Sequence, residues 1–324
     1  MKRSVLKKIK THRKEVINGA AIGTDCAVLS FGEGYDIVLS TTPVTAPAED
    51  IGTYAIPMAL NNIAAAGAEP VGVMLSVLLP EQTEETTLQQ MMEQAQDICH
   101  RCGAEIIGGH TEVTPTVGEP IITVTGVGKL DSTQAGVLRG IEADQDIVIS
   151  KWIGLEGTIR LARGRKDELC TRYPVRMVEE AAAYDRYLSI IPEAATAMKS
   201  GVCGMHDVSR GGVFGALWEL SERAGVGLEI DLKKIPVKQE TIEICEFFGL
   251  NPYELLSGGC LIMTVKDGSA LVEALEREDI PAVVVGRTTK SNDRVIYNED
   301  EKRYLDRPKT DQIYCLQETD QETK

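Results

Sequence analysis

The sequence predicts a two-domain α/β protein, with an N-terminal sheet domain over residues 1–148 and a C-terminal α/β domain over 149–324. Three observations carry this. The chain has 324 residues, enough for two separate cores. Apolar runs of strand length alternate with segments of helical spacing in both halves. Glycine is plentiful, at 30 residues, while aromatics make up only 5%, a balance that suits Val, Ile, Leu and Ala packing with many tight turns.

The basic run at 2–14 reads as the solvated face of a first helix. Strands follow at 26–31 and 36–41, joined by Gly32-Glu33-Gly34. Residues 50–66 carry Ile51, Ala55, Met58, Ala59 and Asn62 at helical spacing. Pro57 is expected to kink or split that helix, and Gly67 to end it. Residues 71–79 form a continuous apolar strand. Thr83 and two following glutamates start a helix whose apolar face runs through Leu88, Met91, Met92, Ala95, Ile98 and Cys102. Strands at 104–107 and 121–128 complete this half.

The second half opens with a strand at 146–150. Two helices follow, the longer over 175–200 and interrupted near Pro192. Next come the segment 204–212, a helix carrying Val213, Leu217, Leu220 and Ala224, and a strand at 227–230. Helices at 239–248 and 269–277 and strands at 257–265 and 282–287 finish the domain. Residues after 308 read as a frayed polar tail.

The formal net charge of −15 argues against nucleic acid or an anionic membrane as partner. No apolar stretch reaches the roughly 20 residues needed to cross a bilayer. The eight cysteines are scattered without framework spacing and read as reduced thiols in a cytoplasmic protein. Cys99 and Cys102 form the single C-x-x-C. Packing on a helix face is the first reading, redox or metal use the second.

Phosphate-loop, H-E-x-x-H and G-x-S-x-G motifs are absent. What remains is a series of glycine and polar patches at expected strand ends and helix starts, where backbone amides can receive phosphate oxygens. They are Gly23-Thr24-Asp25-Cys26-Ala27, Ser40-Thr41-Thr42, Glu49-Asp50-Ile51-Gly52, Asn61-Asn62-Ile63-Ala64 running on to Gly67-Ala68-Glu69-Pro70, Gly108-Gly109-His110-Thr111, and Asp207-Val208-Ser209-Arg210-Gly211-Gly212.

In order and spacing these patches resemble the superfamily of aminoimidazole ribonucleotide synthetase, thiamine-monophosphate kinase, selenophosphate synthetase and the hydrogenase-maturation protein HypE, and its HypE-like, AIR synthase-related branch in particular. The resemblance runs from Gly23 through Arg287. It implies a two-domain PurM-like α/β (α+β) fold, in which N-terminal sheets of two chains close a dimeric barrel. It also implies ATP-dependent phosphoryl transfer to a carbonyl or amide oxygen of a small substrate. By the same resemblance, Asp25, Thr42, Asn62, Gly108, Gly109, His110 and Thr111 bind the nucleotide. Asp207 and Arg210 act on the substrate, and Gly211 and Gly212 receive its phosphate. The bland alternative for Asp207 and Arg210 is a helix-capping pair.

The family holds Mg2+ with acids at positions 25, 42, 62 and 110; here only Asp25 is acidic, with Thr42, Asn62 and His110 at the others. Glu112, Glu49 and Asp50 are the nearby acids that remain. A second reading is therefore a catalytically degenerate nucleotide- or metabolite-binding relative acting as sensor or partner protein. A third gives His110 a transition metal.

Overall fold

The computed structural model describes residues 14, 16–18, 26–32, 34–133 and 140–316. The loop carrying Asp25 and all of the expected basic helix except Lys14 lie outside these residues. Two compact units divide the chain, Met1–Gly136 and Val137–Lys324. The division falls before residue 148, because the strand at 146–150 pairs wholly within the second unit's sheet.

The first unit holds one six-stranded sheet of β1 (Val16–Asn18), β2 (Ala27–Ser30), β3 (Tyr35–Thr45), β4 (Glu69–Leu79), β5 (Glu105–Val113) and β6 (Ile121–Asp131), in the order β1-β2-β3-β6-β4-β5. Helix α1 (Ile51–Ala65) packs on one face, and α2 (Glu85–Arg101) supplies the crossover between the parallel pair β4 and β5. Along β3 the pleat turns Asp36, Val38, Ser40 and Val44 inward and leaves Tyr35, Ile37, Thr41, Pro43 and Thr45 exposed on the other face. Gly126 of β6 lets α1 come close: a Cβ there would lie 3.1 Å from Ile63.

Helix α1 runs without a break through Pro57, contrary to the expected split. Every residue of α1 except Asn62 is buried. Burial on all sides offsets the roughly 3 kcal/mol that an interior proline costs a helix.

Strands β3 and β5 extend past their expected ends. Thr42 and the Gly108–Thr111 patch thus sit inside strands, not in strand-end loops. Glycine at 109 is a packing requirement, since a Cβ there would run into the Leu75 carbonyl oxygen. Gly109→Ala should cost about 1–3 kcal/mol by overpacking. Urea unfolding checks this; a change under half a kcal/mol, roughly the noise of a surface substitution, would refute it.

The second unit holds a seven-stranded sheet of β7 (Asp146–Ser150), β8 (Gly204–Val208), β9 (Gly227–Asp231), β10 (Cys260–Val265), β11 (Ala282–Thr289), β12 (Arg294–Asn298) and β13 (Glu301–Tyr304). Its order is β13-β12-β9-β11-β7-β10-β8. The helices are α3 (Leu155–Gly164), α4 (Lys166–Leu169), α5 (Val175–Ala182), α6 (Ile191–Lys199), α7 (Gly212–Ala224), α8 (Gln239–Phe248) and α9 (Gly268–Glu276). Ile147, Ile149, Val213, Leu217, Leu220 and Ile262 meet in the core between the sheet and α7. The long helix expected over 175–200 is broken over 183–190, and Pro192 opens α6, where its missing amide hydrogen costs nothing.

The tail is not frayed where it is described. Asp311 is buried, residues Gln312–Tyr314 form a 3-10 turn, and Ile313 and Leu316 pack against a cluster that includes Leu161, Ile244 and Leu255. Polar composition hid this, because the anchoring falls to the Asp311 carboxylate, two apolar side chains and Gln312, whose Oε1 accepts from Asn251 N and whose Nε2 donates to Glu254.

Candidate functional site

In the first unit the sheet and α1 bring four patch residues together. Asn62, the one residue of α1 that is not buried, reaches β3: its Nδ2 donates to Ser40 Oγ at 2.9 Å and to Thr42 Oγ1 at 3.3 Å. The Cys26 thiol donates to the Asn62 carbonyl at 3.1 Å. Ser40 and Thr42 share a face because they are two residues apart on a strand, and the turn of α1 presents Asn62 to that face. The cluster is neutral. Hydroxyls and an amide can donate to or accept from phosphate oxygens, but they supply no charge to hold a divalent cation.

The Gly108–Thr111 patch stands further off. Thr42 pairs with Val124, Val124 with Leu75 and Leu75 with Gly109, so the patch lies three strand spacings away, about 14 Å at roughly 4.8 Å per strand. Gly109 and Thr111 pair with the buried Leu75 and Val77. Gly108, His110 and Glu112 pair with Met74, Ser76 and Leu78 on the opposite, more exposed face. Thr111 therefore shares the face of Thr42 and Asn62, while His110 and Glu112 do not. Among the described residues no group of three His, Cys, Asp or Glu could hold a metal ion. The residues described do not fit Mg2+, whether through Glu112 or through His110; Asp25 lies outside them.

The C-x-x-C favours packing. Cys99 is 1% exposed, and burial together with the neighbouring Cys102 sulfur pushes its thiol up to about 11, so it stays protonated at neutral pH.

In the second unit Asp207 is buried in β8, flanked by β10 through the Leu261 pairing, while Arg210 is exposed beyond the strand end. Gly211 caps α7 with a left-handed φ of 83°, and no side chain of the capping residue makes the cap. Gly212, at φ 62°, must be glycine, because a Cβ would strike the Tyr253 carbonyl oxygen. The Gly211 amide, expected to face a substrate phosphate, donates to Asp311 Oδ2 at 2.7 Å.

Three charged residues near this loop went unread in the sequence. Asp311 also accepts from Leu256 N at 3.2 Å and Ile313 N at 3.0 Å; burial raises its carboxyl pKa, and these amides oppose the rise. Glu156, 1% exposed, is held by Arg160 at 2.7 Å; burial raises its pKa too, with Arg160 opposing. Lys151, at a left-handed φ of 53°, donates to the Tyr187 and Ser189 carbonyls at 2.7 Å each and pairs with Glu193 at 2.5 Å. Only Glu156 had a local cue, its place one residue into a helix after Gly154.

Residues 23–130 match the model of the AIR synthase related protein N-terminal domain, and residues 143–298 that of the C-terminal domain. The chain is similar to a hydrogenase expression/formation protein of Methanocaldococcus jannaschii, 28% identical over 78% of this chain and 75% of that one. It is similar also to the carbamoyl dehydratase HypE of Cupriavidus necator, 30% identical over 78% of this chain and 72% of the relative. Among solved structures, HypE in a HypE–HypF complex has a TM-score of 0.73 at 25% identity, covering 88% of this chain and 93% of that one. HypE in complex with ATP has a TM-score of 0.72 at 19% identity, with 90% of each chain covered, and shows the shared fold. With both domain models matched in order over most of its length, this chain belongs to the AIR synthase related family, with the two-domain PurM-like fold.

Proposed function

We propose that the protein uses ATP to phosphorylate a carbonyl or amide oxygen of a small substrate, in a reaction of the hydrogenase-maturation type. The observation that carries this reading is the match to carbamoyl dehydratase HypE across both domains. A carbamoyl group loses water only if its oxygen becomes a good leaving group, and a phosphate ester makes it one. In this reading the Ser40, Thr42 and Asn62 cluster, with Thr111 on the same sheet face, receives the nucleotide. Asp207 and Arg210 serve the carbamoyl-bearing substrate. Titration with ATP, ADP and AMP, each with and without Mg2+, followed by ADP release against a panel of carbamoyl compounds, tests it. ATP binding with substrate-stimulated ADP release is expected; no ATP binding under either condition overturns it.

The neutral cluster at Thr42 and Asn62 favours a second reading, a degenerate relative that binds a nucleotide or metabolite without turnover. ATP binding that is indifferent to Mg2+ and yields no ADP selects it.

A homodimer through the first sheet belongs to the same proposal. Tyr35, Ile37, Val71 and Met74 are exposed large apolar side chains on its strands, on the face away from α1. Light scattering should give twice the chain mass, and Ile37→Glu with Met74→Glu should give the monomer. A wild-type monomer at micromolar concentration refutes the dimer.

A further inference from the structure

Three aromatic rings meet where the chain breaks between α5 and α6. Trp152 stands two residues past the end of β7, and the 3-10 turn Tyr184–Tyr187 supplies its two tyrosines. Trp152 meets Tyr187 edge to face, with centroids 5.3 Å apart and planes at 68°. Tyr184 lies 6.1 Å from Tyr187 at 53°. Rings set at such angles form walls instead of a stack.

The walls enclose an ammonium. Lys238 Nζ lies over all three rings, 3.9 Å from the Trp152 centroid, 5.4 Å from that of Tyr184 and 6.0 Å from that of Tyr187. Each separation is within the roughly 6 Å over which a ring face attracts a cation. Among the described residues this ammonium makes no hydrogen bond and no ion pair. The walls do not depend on it. Lys151 Nζ donates to the Tyr187 and Ser189 carbonyls and so pins the turn to the end of β7. Tyr184 is buried, and its hydroxyl donates to Glu240. The bridge between Ile153 and Val237 fixes the backbone beside Lys238, whose side chain does not cap α8. Trp152, Tyr187 and Lys238 are only half-buried, so the box opens to solvent.

The occupant suits its box poorly. A lysine ammonium carries three N–H donors and is strongly hydrated, whereas ring faces accept hydrogen bonds weakly. A quaternary ammonium has no N–H to satisfy and spreads its charge over methyl groups. We propose that Trp152, Tyr184 and Tyr187 form a binding site for a small molecule with a quaternary ammonium head, which displaces Lys238. Anions are turned away by the negative ring faces and by the Glu240 carboxylate on the Tyr184 hydroxyl. Arg186 also lies over Tyr187, at 4.8 Å, but it is exposed and paired with Glu180 at 3.5 Å, which offsets its charge. A neutral molecule of the same shape gains packing without the charge attraction. The site is independent of the nucleotide reading above.

The test uses the full chain without nucleotide. Choline is the probe, its neutral isostere 3,3-dimethyl-1-butanol the comparison, and sodium chloride the ionic-strength control. In the wild type, acylation of Lys238 by an N-hydroxysuccinimide ester is followed by peptide mass spectrometry. Millimolar choline should speed it roughly threefold by expelling the amine from the rings, and neither comparison should. By calorimetry, Lys238→Ala should bind choline about tenfold more tightly than the wild type, and adding Trp152→Leu should remove the gain. Acylation no faster with choline than with sodium chloride sinks the proposal, whatever the variants do. So does an alcohol as effective as choline, a folded Lys238→Ala that binds no tighter, or a gain that survives Trp152→Leu.

Discussion

Glu193→Ala should destabilise the second unit by about 3–5 kcal/mol, the usual cost of removing one partner from a buried ion pair. Lys151 and Glu193 are 7% and 2% exposed, so neither charge has water to fall back on. The lysine ammonium also takes the Tyr187 and Ser189 carbonyls, and so anchors the break between α5 and α6 to the end of β7. Without Glu193, a cation stays buried against two carbonyl dipoles alone. Lys151→Met with Glu193→Leu should recover most of the loss, because the desolvation penalty vanishes with both charges. Denaturant unfolding of the three variants decides the matter. A single-variant loss below about 1 kcal/mol, the range of exposed pairs, would show that the pair is solvated in solution.

Thr42→Asp with Asn62→Asp should raise ATP affinity in the presence of Mg2+ at least tenfold, and change it little without the metal. The cluster geometry supports the exchange. Asn62 now donates to the Ser40 and Thr42 hydroxyls. A carboxylate at 62 would accept from Ser40 instead, since a hydroxyl rotates to donate. The second carboxylate, at 42, then lies within hydrogen-bond reach of the first, a like-charge pair that a divalent cation relieves. Calorimetry with and without Mg2+ checks it. If the double variant folds and binds Mg2+-ATP no better than the wild type, those two positions do not face the nucleotide.

The fold class was legible because the apolar periodicity is strong. The apolar run of β4, the buried run of β7 and the helical spacing of α1 mark themselves. Strand ends were not legible. Gly108 to Thr111 read as a loop because glycines and polar residues normally terminate strands, yet at a sheet edge they need bury nothing. Strand β13 was missed for a related reason, since it is exposed throughout.

Of the candidate site, the sequence by itself determined the inventory: which patches exist, in which order, and that positions 42, 62 and 110 carry Thr, Asn and His and no acid. It also settled the family, because order and spacing along a chain are one-dimensional facts. Which patches touch was decided by tertiary structure alone. The contact of Asn62 with Ser40 and Thr42 depends on the rotation of α1 over the pleat of β3. The separation of His110 from them depends on strand order and on side-chain alternation across an edge strand. Asp311 on Gly211 joins residues 100 positions apart, and neither carries a local sign of the other. Hydrogen bonds of that kind are chosen by packing, after the chain has brought its distant segments together.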